Sequence, residues 1–249
     1  MGYEVCRMRT LLTHSKGPGM NILHISCSPR GQAAESCRLS RRIVGFLLEG
    51  HPAATVVNRV IGDGSLAHVD ENYAISQHSN EDVSQEGTAA TSAELIRELQ
   101  AADIVVIGTP MHNFTAPSAL KAWIDHVVRV RWTFNVGHHG KVPLLRDRPV
   151  LVAVSSGGRF SEDGTRQPDF LTPYLKAVFA IIGLHDLQFF SVQGTAFGPE
   201  ILTATRDHTD QALQDHFHHL SAGPDGRGDL RRGAPSPCKR LLVQGRNVR

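Results

Sequence analysis

The chain has 249 residues, of which 41% are hydrophobic and 20% are charged, and its formal net charge at neutral pH is +2. This composition predicts a globular protein with a sizeable core, and no apolar stretch approaches the length needed to span a membrane. Residues 221–249 carry +5 and residues 1–19 carry +2, which leaves about −5 on the rest. A body with that charge lacks the basic surface of a nucleic-acid-binding domain.

The two ends of the chain differ from the body in composition. Residues 221–249 are rich in Gly, Pro, Ser and Arg, which predicts a flexible basic tail, and residues 1–19 are interpreted as a flexible extension. One domain is therefore expected over residues 20–220. The four cysteines form no CxxC pair or metal-ligand spacing, and nothing at the N terminus resembles a secretory segment. We expect a cytoplasmic protein without a metal site.

The predicted elements alternate between strands and helices along the chain. Short runs rich in Val, Ile and Leu predict buried parallel strands, and amphipathic segments between them predict helices. The predicted strands are 21–26, 54–61, 104–108, 150–154 and 187–192, and the predicted helices are 39–48, 90–99, 116–130 and 171–182. This alternation indicates an α/β fold. The polar connection 63–87 is interpreted as a lid, a dimer contact or a disordered segment.

Three loops of similar chemical character directly follow predicted strands. They are Ser28-Pro29-Arg30-Gly31 with Ser36, Pro110-Met111-His112-Asn113-Phe114, and Ser155-Ser156-Gly157-Gly158. Loops at the carboxyl ends of parallel strands lie at one edge of the sheet, where open α/β folds bind their ligands. Each loop alone is also consistent with an ordinary turn. Together they predict a cofactor site, and a flavin suits their chemistry.

The first loop has the donors that a phosphate needs. Ser28 and Ser36 have hydroxyl groups, and the start of the following helix offers unpaired N–H groups and the positive end of the helix dipole. The alternative is that these serines only cap the helix and shape a turn. Neither G-x-x-x-x-G-K-[ST] nor G-x-G-x-x-G follows the strand, which disfavours a nucleotide triphosphatase and a Rossmann dehydrogenase.

The other two loops suit a flat heteroaromatic ring. Met111 and Phe114 offer apolar surface, and Asn113 tolerates unusual backbone angles. Gly157 and Gly158 allow a ligand to approach the backbone closely. Backbone hydrogen bonds to a flavin would tune its electron affinity without an ionisable catalyst.

These motifs, in this order, resemble the FMN-dependent NADH:quinone oxidoreductase and azoreductase family. The resemblance covers about residues 20–220 and includes Leu120-Lys121, Thr133-Phe134 and Thr172-Pro173-Tyr174-Leu175. It implies a flavodoxin-like three-layer sandwich, with a five-stranded parallel sheet in the order 2-1-3-4-5 and helices on both faces. It also implies a homodimer with FMN near the subunit interface, and no nucleic-acid or membrane partner.

The resemblance assigns thirteen residues to FMN. Those assigned to the phosphate are Ser28, Ala34, Glu35 and Ser36, and those assigned to the isoalloxazine are Pro110, Met111, His112, Asn113, Phe114, Ser155, Ser156, Gly157 and Gly158. Ala34, His112, Ser156 and Ile181 depart from the family pattern. Because Ala34 has no hydroxyl group, only its backbone N–H could bind a phosphate. The carboxylate of Glu35 must point away from it.

The implied reaction has two half-reactions at one site. NADH or NADPH reduces the flavin, and a quinone, azo compound or related small aromatic acceptor then takes the electrons. Orientation of the reactants could suffice for this chemistry, although His112 is a candidate proton donor, the alternative being a hydrogen-bonded loop histidine. The predicted substrate pocket includes Phe134, Phe160 and Ile181. Two other functions stay open, a flavodoxin-like electron carrier and a reductase that supplies reduced FMN to a partner enzyme.

Overall fold

The computed structural model describes residues 19–78, 87–161 and 167–221. The predicted extension at residues 1–19 lies outside these ranges except for Gly19, and the predicted tail lies outside them except for Ser221. Part of the 63–87 connection also lies outside them. The structure therefore describes nearly all of the predicted domain.

A five-stranded parallel sheet forms the centre of the domain. The strands in chain order are β1 (Asn21–Ser26), β2 (Thr55–Val60), β3 (Ile104–Pro110), β4 (Phe134–Gly137), β5 (Gly140–Pro143), β6 (Val150–Ser156) and β7 (Leu187–Gln193). The sheet has the order β2-β1-β3-β6-β7, whereas β4 and β5 form a separate antiparallel hairpin. Counted within the sheet alone, this is the predicted order 2-1-3-4-5. The sequence did not predict the hairpin.

Six α-helices connect and cover the strands in the described part of the chain. They are α1 (Glu35–Gly50), α2 (Glu71–His78), α3 (Gly87–Ala101), α4 (Ser118–Val127), α5 (Leu171–Ile182) and α6 (Pro199–Ser221). The sequence did not predict α2 or α6, which have few apolar residues in a helical stripe. The predicted helix 116–130 was too long at both ends. Pro117 is extended, and Thr133 Oγ1 donates to the Val127 carbonyl at 2.6 Å, where the chain turns back.

Apolar side chains alternate between the two faces of each central strand. In β3, Val105 and Ile107 join a core with α3, α4 and α5, while Ile104 and Val106 join a core with α1 and α6. All four side chains are buried. The sheet therefore lies between two helical layers. Its central strands are rich in apolar residues because both of their faces are covered, whereas the edge strand β2 is mostly exposed. No helix in the described ranges has the length and hydropathy of a membrane span.

Candidate cofactor site

The three predicted loops meet at the carboxyl edge of the sheet. Their strands, β1, β3 and β6, are neighbours and run parallel. The N–H of Cys27 donates to the Gly108 carbonyl at 2.9 Å, and the N–H of Met111 donates to the Ser155 carbonyl at 2.8 Å. These bonds extend the sheet ladders into the loops, so each loop begins in a fixed position relative to the next.

The first loop leads into α1 through a tight turn. Gly31 has a φ of +53°, and its N–H donates to the Ser28 carbonyl at 3.1 Å. A short 3₁₀ turn follows, and Ala34 then occupies the N-cap position of α1 with no side-chain cap. Because Ala34 has no hydroxyl group, the first N–H groups of α1 lack the usual protein acceptor. They remain suited to an external anion.

Ser36 has an unusual environment in the second position of α1. Its side chain is fully buried, and its Oγ has no hydrogen-bond partner among the described residues. An unsatisfied buried hydroxyl costs about 1–3 kcal/mol. Ser36 is therefore not the helix cap that the sequence allowed, since Ala34 holds that position and Ser36 bonds no backbone group. A phosphate oxygen would satisfy this hydroxyl, so the loop fits the phosphate that the sequence predicted.

Glu35 is turned towards α6. Its carboxylate accepts a hydrogen bond from Arg206 Nε at 2.9 Å, a second from Arg206 Nη2, and one from Arg38 Nε at 3.1 Å. Hydrogen bonding from Arg206 is the largest of the influences that lower the pKa of Glu35. The carboxylate is therefore ionised at neutral pH and held by the guanidinium groups of Arg38 and Arg206.

The second loop has a strained backbone. Asn113 has a φ of +48° and Phe114 a φ of +68°, and hydrogen bonds in both directions between His112 and Thr115 close the turn. Two successive residues in the left-handed region are unusual for side chains with a Cβ atom and occur preferentially at functional sites. Met111 is buried beneath the turn, whereas the other three residues, His112 to Phe114, are exposed.

The third loop is held by a residue that the sequence analysis missed. Gln167 Nε2 donates to Ser156 Oγ at 2.9 Å and lies 3.1 Å from Met111 Sδ, so it joins the second and third loops. A Cβ atom at Gly158 would lie 2.1 Å from Gln167 Oε1, whereas one at Gly157 would lie 3.6 Å from the nearest atom, in Ala196. A side chain at Gly158 would therefore displace the end of Gln167, whereas one at Gly157 would not. No local sequence signal marks Gln167.

A cavity of about 350 Å³ lies beside the first and second loops. Cys27, Pro29 and His112 line one side of it, and the connection after β2 lines another through Gly62, Gly64, Leu66, Ala67 and His68. The first part of the long polar connection is therefore a wall of this cavity. Burial raises the pKa of the Cys27 thiol, so this group stays protonated and is a poor nucleophile.

The predicted substrate-pocket residues do not line that cavity. Phe134 is 8% exposed and belongs to the hydrophobic core, with Lys141 Nζ 5.0 Å from its ring centre. Phe160 and Ile181 are half-buried and pack against the same core, and the Phe160 N–H donates to Gln193 Oε1 at 2.7 Å. None of the three is among the described residues that line the cavity. Their contact with a substrate stays a prediction.

Comparison with known proteins shows the family to which the chain belongs. The family described as having a flavodoxin-like fold matches residues 20–217. An FMN-dependent NADH:quinone oxidoreductase of Pseudomonas fluorescens is 45% identical over 193 residues, which cover 78% of this chain and 93% of that protein. A second, from Burkholderia lata, is 42% identical over 192 residues, which cover 77% of this chain and 94% of that protein.

The fold is also similar to that of a solved structure. An FMN-dependent NADH-azoreductase from Bacillus anthracis, in complex with FMN, superposes with a TM-score of 0.67 at 26% identity. The match covers 79% of this chain and 98% of that one. The chain therefore belongs to the family of FMN-dependent NADH:quinone oxidoreductases, within the flavodoxin-like fold.

Proposed function

We propose that this protein is an FMN-dependent oxidoreductase that takes electrons from NADH and passes them to a quinone, an azo compound or a related small aromatic acceptor. The observation that carries the proposal is the fully buried Ser36 hydroxyl at the start of α1, which has no partner among the described residues. A helix start that follows the carboxyl end of a parallel strand is a common binding site for anionic ligands. The names of the relatives support the same cofactor and donor, and they favour an enzyme over an electron carrier.

The first loop would hold the phosphate, and the other two would hold the ring. Ser28, Ser36 and the N–H groups of residues 35 and 36 are the proposed phosphate donors. The Ala34 N–H, which the sequence also assigned to the phosphate, donates to the Gly31 carbonyl at 3.2 Å. The proposed ring contacts are Pro110, Met111, His112, Asn113, Phe114, Ser155, Ser156, Gly157 and Gly158. FMN, when bound, would supply the redox chemistry. The protein would orient the reactants and exclude water from the site.

Few side chains of this chain are candidates for proton transfer in the proposed reaction. Cys27 is a buried, protonated thiol and supplies no base. His112 is exposed and lines the cavity, so it is the candidate proton donor to a reduced acceptor. The His112→Ala variant tests this role, because a proton donor is expected to change the pH profile of turnover while FMN stays bound. An unchanged profile would exclude it.

We further propose a homodimer with FMN near the subunit interface. Three phenylalanine side chains in the loops at the carboxyl edge of the sheet are exposed, namely Phe114 at 44%, Phe170 at 59% and Phe197 at 59%. The N–H of Phe170 donates to the Phe114 carbonyl at 3.0 Å, so two of them belong to one structural unit. Exposed apolar surface of this kind marks a site of association. A second subunit would cover this surface and would complete an acceptor pocket.

The proposed location of the protein is the cytoplasm.

Purification and anaerobic spectroscopy test the function. The protein as isolated, or loaded with FMN, is expected to show a flavin spectrum that NADH bleaches and that a quinone restores. A flavin that NADH leaves oxidised would contradict the proposal and would favour an electron carrier. Release of most of the reduced FMN into solution, before any acceptor reacts, would favour a reductase that serves a partner enzyme.

A further inference from the structure

We propose that Arg206 is a positioning residue for the cofactor phosphate: it binds the Glu35 carboxylate and keeps this negative charge away from the start of α1. The inference rests on the proposed function, because it takes the first loop as the phosphate site. It concerns α6, a helix that contributes nothing to the three predicted loops.

Glu35 creates a conflict at the start of α1. It is the first residue of the helix and directly precedes Ser36. A carboxylate in a first helical turn interacts favourably with the helix dipole and with free N–H groups. A phosphate needs the same groups and would be repelled by an anion beside it. The direction in which the Glu35 side chain points therefore affects how well a phosphate binds.

Arg206 resolves this conflict with a two-point contact. Its Nε donates to Glu35 Oε2 at 2.9 Å and its Nη2 to Glu35 Oε1, so both carboxylate oxygens are engaged. Paired contacts between a guanidinium and a carboxylate fix geometry as well as charge. The Glu35 side chain is only 14% exposed, and Arg38 supports it with an Nε contact of 3.1 Å. The carboxylate is thus directed to α6.

The contact is part of a larger charge cluster between α1 and α6. Arg38 Nη1 lies 3.1 Å from both oxygens of Asp210, and Arg42 Nε lies 3.3 Å from one of them. Three guanidinium groups thus face two carboxylates, which leaves one excess positive charge. Removal of Arg206 would cancel that excess and would free one Glu35 oxygen.

Helix α6 is well anchored for this role. Leu213 and Phe217 of α6 are buried in the core that α1 contributes to, and the Phe217 ring stacks on that of Phe46 at 5.1 Å. Residues 206 and 210 are four apart, so they lie on the same face of the helix. Because partly exposed ion pairs add little to stability, orientation of Glu35 is the more important effect of the contact.

Paired binding measurements with FMN and riboflavin test this inference. Riboflavin has the same ring system without the phosphate, so the ratio of its Kd to that of FMN reports the phosphate contribution. The variants are Arg206→Met, the double variant Glu35→Gln with Arg206→Met, and Arg42→Met as the matched control. Arg42→Met removes one positive charge from the same cluster but leaves the Glu35 contacts in place.

Arg206→Met is expected to raise the Kd for FMN about fivefold and to leave the Kd for riboflavin unchanged, since a Glu35 carboxylate with one oxygen freed repels only the phosphate. The double variant is expected to recover wild-type FMN binding, and Arg42→Met to stay within about twofold of it. If Arg206→Met is unstable, Arg206→Lys at the same position is expected to give a smaller loss in the same direction.

Two results would overturn the inference. One is a ratio of the riboflavin Kd to the FMN Kd that is the same in Arg206→Met as in the wild-type protein. The other is an equal loss of FMN affinity in Arg42→Met, which would show that only the overall charge of the cluster matters. If the first loop does not bind the phosphate, the wild-type protein is expected to bind riboflavin as tightly as FMN. If only the proposed activity is wrong, the wild-type protein still binds FMN more tightly than riboflavin, but NADH does not reduce the flavin.

Discussion

Met111 and Ser155 connect the second and third loops of the site, through a hydrogen bond of 2.8 Å from the Met111 N–H to the Ser155 carbonyl. Pro110 is the register partner of Ser155 in the sheet, so this bond continues the pairing of β3 with β6 beyond the strand end. The relative position of the two loops is therefore set by the sheet. The first loop is joined in the same way, through Cys27 and Gly108.

Ser36→Ala is expected to weaken FMN binding without lowering the stability of the cofactor-free protein. The Ser36 Oγ is buried and has no partner among the described residues, so its removal relieves an unsatisfied group in the cofactor-free protein. We expect an equal or higher melting temperature without FMN and a smaller rise on FMN addition.

Ser40→Ala is the matched control for Ser36→Ala. Ser40 is also fully buried in α1, but its Oγ bonds His24 Nε2 at 2.8 Å and donates to the Cys37 carbonyl at 3.2 Å. Its loss is expected to cost about 1 kcal/mol in the cofactor-free protein. A melting temperature that falls equally in both serine variants would contradict the assignment of Ser36.

Gly158→Ala is expected to destabilise the protein by about 0.5–1.5 kcal/mol, because the new Cβ atom would displace the flexible end of the Gln167 side chain and break its hydrogen bond to Ser156. Gly157→Ala is the control and is expected to be tolerated, since its Cβ atom would make an ordinary contact with Ala196. Urea denaturation of the cofactor-free variants measures the free energy of unfolding of each. Gln167→Ala breaks the same hydrogen bond, so the double variant with Gly158→Ala is expected to lose no more stability than either single variant, and an additive loss would contradict this account.

Arg148→Met is expected to cost about 1–3 kcal/mol of stability. The buried guanidinium donates through Nη1 to three carbonyls at the end of α3, those of Leu99 at 2.6 Å, Gln100 at 3.2 Å and Ala102. Removing it leaves carbonyls of the last helical turn without their donor. Chemical denaturation measures the change.

Arg146→Met is the control for Arg148→Met. Arg146 pairs with Asp103 at 3.1 Å, but its side chain is 66% exposed, so we expect a change within about 0.5 kcal/mol. Equal effects of the two substitutions would show that burial of the Arg148 guanidinium has no special importance.

Tyr73 is expected to make stability fall at alkaline pH. Burial raises the pKa of its phenol to about 12, and its hydroxyl donates to the Asp125 carbonyl at 2.7 Å. The unfolded chain releases this proton near pH 10, so the folded state holds one more proton above that value. The contribution of Tyr73 is complete below about pH 10 and is lost as pH rises towards about 12.

Urea denaturation at several alkaline pH values measures the contribution of Tyr73. Tyr73→Phe is expected to be less stable than the wild-type protein at neutral pH, because it lacks the hydrogen bond to Asp125, and to have a shallower decline above pH 10. Tyr174, whose pKa burial also raises, is present in both proteins and cancels in the comparison. Equal alkaline slopes would contradict this account.

Local sequence signals predicted the sheet and its loops well, for a physical reason. Strands buried on both faces are mostly apolar, so β3 and β6 each begin with an apolar run, 104–107 and 150–154, before the polar residues of the loop. Helix α5 was predicted with its observed bounds, because an amphipathic stripe precedes Gly183, which ends the helix with a φ of +97°.

Elements that depend on distant partners were missed. Helix α6 carries only a few buried apolar residues among many polar ones, and α2 is short and polar. Their stability comes from packing on the rest of the domain. Within α2, Tyr73 bonds Asp125, and Ser76 Oγ accepts from Arg129 Nη2 at 3.1 Å, contacts that no local pattern reveals.

The sequence by itself determined the α/β class and the order of the three loops along the chain, because these depend on local patterning. The residues that the resemblance assigns to FMN stay a prediction. Only the tertiary structure decided how the site is supported. The pairing of Glu35 with Arg206 joins residues 171 positions apart, and Gln167 reaches Ser156 and Met111 across two loops. Such contacts depend on how helices and loops pack against a common sheet. They have no periodicity along the chain from which they could be predicted.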